Sequence, residues 1–595
     1  MKKKAVSIPS QYPDIPIAQL TVRLCSFFEV EHVVICAGSR NAPLTNGFLG
    51  QSNFKTYSVV DERAAAFFAL GIAQQLKQAV ALVCTSGSAL LNCYPAVAEA
   101  YYSDIPLVII SADRMPHRID IGDGQTIRQT GVFEPHLEAA ASLKPDIIHA
   151  TQTLLENPMQ KLLPSDVSQK QIDELQREIE VHNVNEMVRV LQTAQKQKGP
   201  VHLNIPMEEP LYGMTSEELS LPYELEKLVD NKNFEKVDHL IKAWQKAKKK
   251  WVLIGVLAPD TISPQLFSKL CEDPSVVVFT ETTSNQQHPK AIQSIDTLMA
   301  PLELEDDIDS HHLKPEILLT FGGMIVSKKI KQFLRNNRPI KHWHIDEKKA
   351  YNTYYCLEEH IKQTPNDFLS ILYKNSISDP SKFQSNVRKI YLSYKNKGRS
   401  YLKNIPFSDL KVFDFISQTL KGDWQLQIAN SSPIRYVQLM DWKPGLNFFC
   451  NRGTSGIDGS TATAVGAAQV ISKPTLLITG DLSFFYDING LWNNYIPPSF
   501  RIILINNQGG GIFRILPGQK DTPSYDRYFE TTHQRNAKHL AKAFGFEYSK
   551  ASSMWALKQK FSRFVRKSSS PKILEIQTPR KINDQILLDY FKAML

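Results

Sequence analysis

The chain has 595 residues and a formal charge of +9, with 42% hydrophobic and 22% charged residues, an ordinary globular composition too long for one core. No uninterrupted apolar stretch approaches the ~20 residues of a membrane helix. The excess charge is modest, and a local run of lysines at 246, 248, 249 and 250 reads as a solvated helix end, which argues against a nucleic-acid surface.

At the start, MKKKAVSIPSQYPDIP has a basic cluster with no apolar run behind it, so no secretory signal is expected and the cytosol is the expected compartment. Apolar, β-branched runs at 32–38, 55–60, 79–87 and 106–113 read as buried parallel strands, with helical patterns at 62–76 and 89–104 between them. Such alternation builds a parallel sheet with helices on both faces, and ligands bind at the carboxyl ends of its strands. Residues 150–198 are polar and helical and are expected to form a surface excursion before a strand at 201–206. A second α/β pattern runs through 251–259, 276–283, 316–323 and 342–347, followed to about residue 405 by a helical, basic stretch that reads as a linker. The third has strands at 424–430, 446–453, 474–481, 501–509 and 573–578. The expected fold is therefore α/β, with three doubly wound parallel-sheet domains in series over 1–212, 213–404 and 405–595; the first and third share one rhythm. Seven cysteines lack a CxxC or regular spacing, and several lie in apolar runs, so they read as core residues and not as a disulfide frame or zinc site.

The sharpest chemical signal is in the third region. Gly480-Asp481 closes one apolar strand and Asn506-Asn507 closes the next, with 24 residues between Asp481 and Asn506. Aspartate and asparagine at adjacent strand ends can offer oxygens to one small hard cation, which usually keeps phosphate among its ligands. Gly509 can add a carbonyl, because the GGG at 509–511 lets the main chain approach closely.

This motif resembles the signature of the thiamine diphosphate enzyme superfamily. The resemblance implies that Asp481, Asn507 and the Gly509 carbonyl hold Mg2+, with Mn2+ as an alternative, on the cofactor's diphosphate. It also implies a catalytic glutamate against N1' of the aminopyrimidine. Glu62, which opens the helical run after YSVV, fits that place, although a first-turn carboxylate also suits a helix dipole. Further segments resemble the menaquinone-pathway synthases that join isochorismate to 2-oxoglutarate: CAGSRNAPLT (36–45), DERAAAFFALG (61–71), SADRMP (111–116), NSSPIR (430–435), NRGTSGIDG (451–459), GDLSFFYDING (480–490) and NNQGGGIF (506–513), with SKK (327–329) in the middle region. By position in those segments, Ser39, Arg40, Arg114, Gln125, Lys328, Arg435 and Arg452 are the implied substrate contacts, and Phe513 lines the cavity. Ser431, Ile457 and Ile512 are implied at the cofactor, Ile457 as the apolar prop that bends it. Both substrates carry two carboxylates, and arginine forks match carboxylates bidentately. The family implies a homodimer or dimer of dimers with active sites at the subunit interface; neither nucleic acid nor membrane is an expected partner. The rivals are a plain 2-oxo acid decarboxylase or another carboligase of the superfamily, and a nucleotide-binding oxidoreductase, for which LIGVLAPD lacks the glycine fingerprint.

Overall fold

In the computed structural model, which describes residues 11–156, 163, 166–225, 237–304, 310–374, 380–515 and 522–595, the apolar runs form the strands of three parallel sheets. The first sheet contains β1 (His32–Ile35), β2 (Lys55–Ser58), β3 (Val80–Cys84), β4 (Leu107–Asp113), β5 (Ala139–Ser142) and β6 (Val201–Pro206), in the order β2-β1-β3-β4-β6-β5. The second contains β7 (Lys250–Ile254), β8 (Val276–Thr280), β9 (Ile317–Phe321), β10 (Lys341–Ile345) and β11 (Leu357–Ile361), in the order β8-β7-β9-β10-β11. The third contains β12 (Gln425–Ile428), β13 (Asn447–Phe449), β14 (Thr475–Gly480), β15 (Arg501–Asn506), β16 (Glu547–Ala551) and β17 (Lys572–Gln577), in the order β13-β12-β14-β15-β17-β16. Sheets one and three therefore repeat one winding. Each reverses strand order beside its first strand, the place where such sheets receive ligands.

Packing divides the described residues into two compact units. One comprises those within Met1–Val229, Thr461–Ser472 and Asp487–Pro497; the other, those within Asp230–Ser460, Lys473–Tyr486 and Pro498–Leu595. In the first unit, alternate residues Val33, Ile35, Ala81, Val83, Val108 and Ile110 face one way and share a core with helices Pro16–Phe27 and Gln169–Gln197, as the two-residue side-chain period of a strand requires. In the second unit, one core runs through residues of both sheets, from Trp251, Val277 and Leu318 to Leu426, Ile478, Ile503 and Leu574. The other face of the second sheet packs separately around Trp244, Trp343 and Phe368.

Two readings of the sequence change. Residues 169–197 form a single helix, opened by a capping box between Ser168 and Gln171, and this helix is not a mere surface excursion. It buries Val184, Met187, Val190, Leu191 and Ala194 in the first core; a narrow apolar stripe was hidden by its charged flanks. The expected linker holds strand β11 and helix Phe383–Asn404, whose Val387, Tyr391, Tyr394 and Leu402 are buried in the core of the second unit. Burying each such side chain contributes about 1.5–3 kcal/mol, more than a tether would gain. All seven cysteines are free thiols, and no helix among the described residues is long and apolar enough to cross a membrane.

Candidate active site

In the first unit, Glu62 is the first residue of helix Glu62–Leu76, just beyond β2. Asp61 caps that helix, its Oδ1 accepting from the Ala64 amide at 3.0 Å. Its Oδ2 accepts from Asn489 Nδ2 at 2.7 Å, which ties Glu62's anchor to the 487–497 segment of the same unit. The Glu62 carboxylate accepts from Asn92 Nδ2 at 3.3 Å. The helix then meets the segment 461–472 with no room for a side chain: a Cβ on Gly71 would lie 2.1 Å from the Thr463 carbonyl oxygen, and one on Gly466 would lie 2.0 Å from that of Phe68.

Arg40 and Arg114 follow β1 and β4 and converge on one acid. Arg40 is buried, donating Nη1 to the Met207 carbonyl at 3.1 Å and Nη2 to Glu209 Oε1 at 2.7 Å. Arg114 Nη1 approaches the same oxygen at 3.8 Å. Burial, then the neighbouring charge of Arg114, pull the Arg40 guanidinium below its ordinary pKa. Glu209 was not singled out from the sequence, although two acids one residue past the strand VHLNIP were a usable signal. Ser39 is exposed beside Arg40. Gln125 is exposed in the loop after β4 with φ at +57°, its carbonyl accepting from Ser86 Oγ at 2.9 Å.

In the second unit, Ser431 stands just before helix Ser432–Leu439 after β12, without a side-chain cap bond, at φ +70°, a left-handed conformation that costs a non-glycine residue energy and clusters at functional sites. Arg452 follows β13 and donates Nη1 to Asn430 Oδ1 at 2.7 Å. Arg435 lies within electrostatic reach of both Arg452 and half-buried Asp296, and burial is the main cause that lowers its pKa. Beneath this pair sits Glu281, fully enclosed, accepting the Val326 amide at 2.8 Å and the Ser327 amide at 2.8 Å. Burial pushes its carboxyl up to about 7 against the pull of those amides and of Arg452. Ser327 caps helix Lys328–Asn336. Lys328 is exposed at its head, and one turn on, Lys331, which sequence reasoning missed, feels Glu281, Arg452 and Lys328. Ile457 and Phe513 remain 36% and 38% exposed despite being apolar, as walls of an organic ligand's cavity would be, and Ile512 opens the short helix Ile512–Ile515 that carries Phe513.

The strand ends of β14 and β15 bring the motif residues together. Asp481 Oδ2 accepts the Gly509 amide at 3.0 Å, and its Oδ1 accepts the Leu482 amide at 2.7 Å. Gly509 has φ +154°, and a Cβ there would lie 2.7 Å from the Glu530 carbonyl oxygen, so only glycine serves. The two asparagines divide the work. Asn506 is spent inside the fold, donating to Glu575 Oε1 at 2.7 Å and the Arg535 carbonyl at 2.9 Å while accepting the Gln508 amide. Asn507 donates Nδ2 to Asp409 Oδ2 at 2.8 Å, which fixes the amide's orientation and directs its oxygen elsewhere. Asp409, buried and held by Thr578 Oγ1 at 2.6 Å, has its carboxyl pushed up to about 6 by burial. The donor set is all oxygen, the chemistry of Mg2+ or Mn2+. Among the described residues no group of three or more His, Cys, Asp or Glu could hold a metal; Mg2+ usually completes its shell with water and phosphate oxygens.

The family described as thiamine pyrophosphate enzyme, N-terminal TPP binding domain, matches residues 16–140, and its C-terminal TPP binding domain matches 431–576. The chain is 48% identical to the 2-succinyl-5-enolpyruvyl-6-hydroxy-3-cyclohexene-1-carboxylate synthase of Christiangramia forsetii, over 98% of this chain and 100% of that one. Identity to the synthase of the same name from Flavobacterium johnsoniae is also 48%, over 98% and 100%. The Porphyromonas gingivalis synthase is 34% identical over 98% of both chains.

Proposed function

The chain belongs to the family of 2-succinyl-5-enolpyruvyl-6-hydroxy-3-cyclohexene-1-carboxylate synthases, which are thiamine diphosphate enzymes, and on that premise we propose how its residues carry out the reaction. It decarboxylates 2-oxoglutarate and adds the remaining succinyl carbanion equivalent 1,4 to isochorismate, releasing CO2, a transferase step of menaquinone biosynthesis. Bound thiamine diphosphate supplies the nucleophilic carbon and the electron sink that this chemistry needs. Asp481, Asn507 and the Gly509 carbonyl hold Mg2+ or Mn2+; Ser431, Ile457 and Ile512 contact the cofactor. Glu62 shares its proton with the cofactor's aminopyrimidine. Ser39, Arg40, Arg114, Gln125, Lys328, Arg435, Arg452 and Phe513 receive the substrates. We further propose domains at 1–212 (pyrimidine-binding), 213–404 (central) and 405–595 (diphosphate-binding), a homodimer or dimer of dimers with active sites at the subunit interface, and a cytosolic location.

The observation that carries the cofactor reading is Asp481 joined to the Gly509 amide across two strand ends, with the Asn507 amide held in one orientation beside it. Two arginine pairs, Arg40 with Arg114 and Arg435 with Arg452, support dicarboxylic substrates over a simple monocarboxylic 2-oxo acid. Excluding proton donors until the acceptor is bound keeps a carbanion equivalent from being quenched. The test is turnover of 2-oxoglutarate with and without isochorismate, with early products read by mass spectrometry. One adduct retaining the enolpyruvyl group is expected, with little succinic semialdehyde when isochorismate is withheld. Semialdehyde as the main product, isochorismate untouched, would leave a plain decarboxylase.

A further inference from the structure

We propose that His533 is a cofactor-contact residue whose Nε2–H donates a hydrogen bond to the diphosphate of thiamine diphosphate beside Asp481. This rests on the placement of the diphosphate and its cation at Asp481 and Asn507. The His533 side chain is only 6% exposed. Its backbone amide donates to the Gln508 carbonyl at 3.2 Å, which stitches this loop to the one after β15. The ring is held on its other flank by Phe485, whose plane stands at 89° to it with the centroids 5.5 Å apart.

The ring's hydrogen bonding decides what Nε2 can do. His533 Nδ1 accepts the Arg535 backbone amide at 3.1 Å. A nitrogen that accepts an N–H carries no proton of its own, so the ring proton resides on Nε2. That excludes Nε2 as a metal ligand, because ligation needs its lone pair, and makes it a donor. It points toward Asp481 Oδ2 at 3.4 Å, beyond the normal N–H···O range of about 2.7–3.2 Å. It is accordingly a buried ring nitrogen without a hydrogen-bond partner. The Asp481 oxygens already accept the Gly509 and Leu482 amides. A buried donor in this condition calls for an acceptor. A phosphate sharing Asp481's cation brings anionic oxygens into that neighbourhood, and hydrogen bonds to such oxygens are the strong kind.

The experiment uses the full chain without cofactor. Binding of thiamine diphosphate and of inorganic pyrophosphate is measured by calorimetry at saturating Mg2+ for the wild type, His533→Ala and His533→Gln, with thermal melting as the check on folding. Mn2+ binding without any phosphate compound is followed by electron paramagnetic resonance. His533→Ala is expected to weaken both phosphate ligands by the same factor, about tenfold to a hundredfold, with Mn2+ binding unchanged. His533→Gln, which keeps an N–H donor, is expected to recover most of the loss. Unchanged affinity for both ligands in His533→Ala overturns the proposal. So does a loss confined to Mn2+, which would mean that His533 only positions Asp481. Wild-type affinity for thiamine diphosphate in Asp481→Ala overturns the placement itself and the proposal with it.

Discussion

Asn489 donates to one oxygen of Asp61 at 2.7 Å while the other oxygen of Asp61 caps the helix that Glu62 heads. The position of the proposed catalytic carboxylate is thus set by a residue more than 400 positions later in the chain. Removing the cap, as in Asp61→Ala, should lower stability by about 1 kcal/mol and should also slow cofactor C2 proton exchange, because Glu62 loses its fixed starting point. Asn489→Ala should do the same more weakly. Glu62→Gln should fold normally and bind thiamine diphosphate with near wild-type affinity, yet lose most C2 exchange. Unchanged exchange in Glu62→Gln places the activating carboxylate elsewhere.

Asp481→Ala and Asn507→Ala should lose cofactor affinity, with partial recovery at high Mg2+ and cofactor. Each would remove an oxygen ligand from the proposed cation. Asp409→Ala should resemble a mild Asn507 variant, since it frees the amide to rotate, whereas Asp409→Asn can still accept from Asn507. Calorimetry at several Mg2+ concentrations checks the set; wild-type affinity in Asn507→Ala removes it from the metal.

Alanine at Arg40, Arg114, Arg435 or Arg452 should act on substrate kinetics and leave cofactor binding nearly intact. Each loses a charge-assisted pair worth on the order of 1.5–3 kcal/mol, roughly tenfold to over a hundredfold in kcat/KM. Arg40→Ala should be the more severe of the first-unit pair, because it also strands the buried Met207 carbonyl. Normal steady-state kinetics with both substrates in all four variants would defeat the dicarboxylate reading.

The buried Glu281 makes stability depend on pH. Its carboxyl is raised from the ordinary 4.5 to about 7 in the fold, so between those values the folded state binds more protons than the unfolded one. Stability from this group is therefore full below about 4.5, falls as pH rises, and levels off above about 7, a decline on the order of 3 kcal/mol. Urea melts across that window should show a shallower decline in Glu281→Gln. The same slope in both proteins would mean that another group sets it.

The long β-branched runs announced their strands because buried parallel strands are apolar on both faces. Within the three parallel sheets, the strands that the sequence reading missed, Ala139–Ser142, Leu357–Ile361 and Glu547–Ala551, all lie at sheet edges. There one side has no partner, and small or charged residues such as those of LEEHI and EYSKA are tolerated. Asp481 and Asn507 were legible because their spacing is local. Glu209, Glu281, Asp409 and His533 were not, because each joins the site from a loop or helix end whose partner is fixed only by folding. For Asp409 and Asn507 that separation is 98 residues. Apart from Glu209, nothing nearby in the chain distinguishes these residues from solvated ones.

The glycine contacts at Gly71 and Gly466 bear on how freely Glu62 can be relocated. Gly71 stands two and a half turns along the helix that begins at Glu62, so main chain pressed on main chain there acts as a fixed stop against axial sliding. A single methyl at either position would wedge the segments apart and carry the carboxylate out of register with whatever it serves. Loss of chemistry without loss of any chemical group is the signature expected of Gly71→Ala, and a second change that hollows the opposing segment is the kind of suppressor that would restore it.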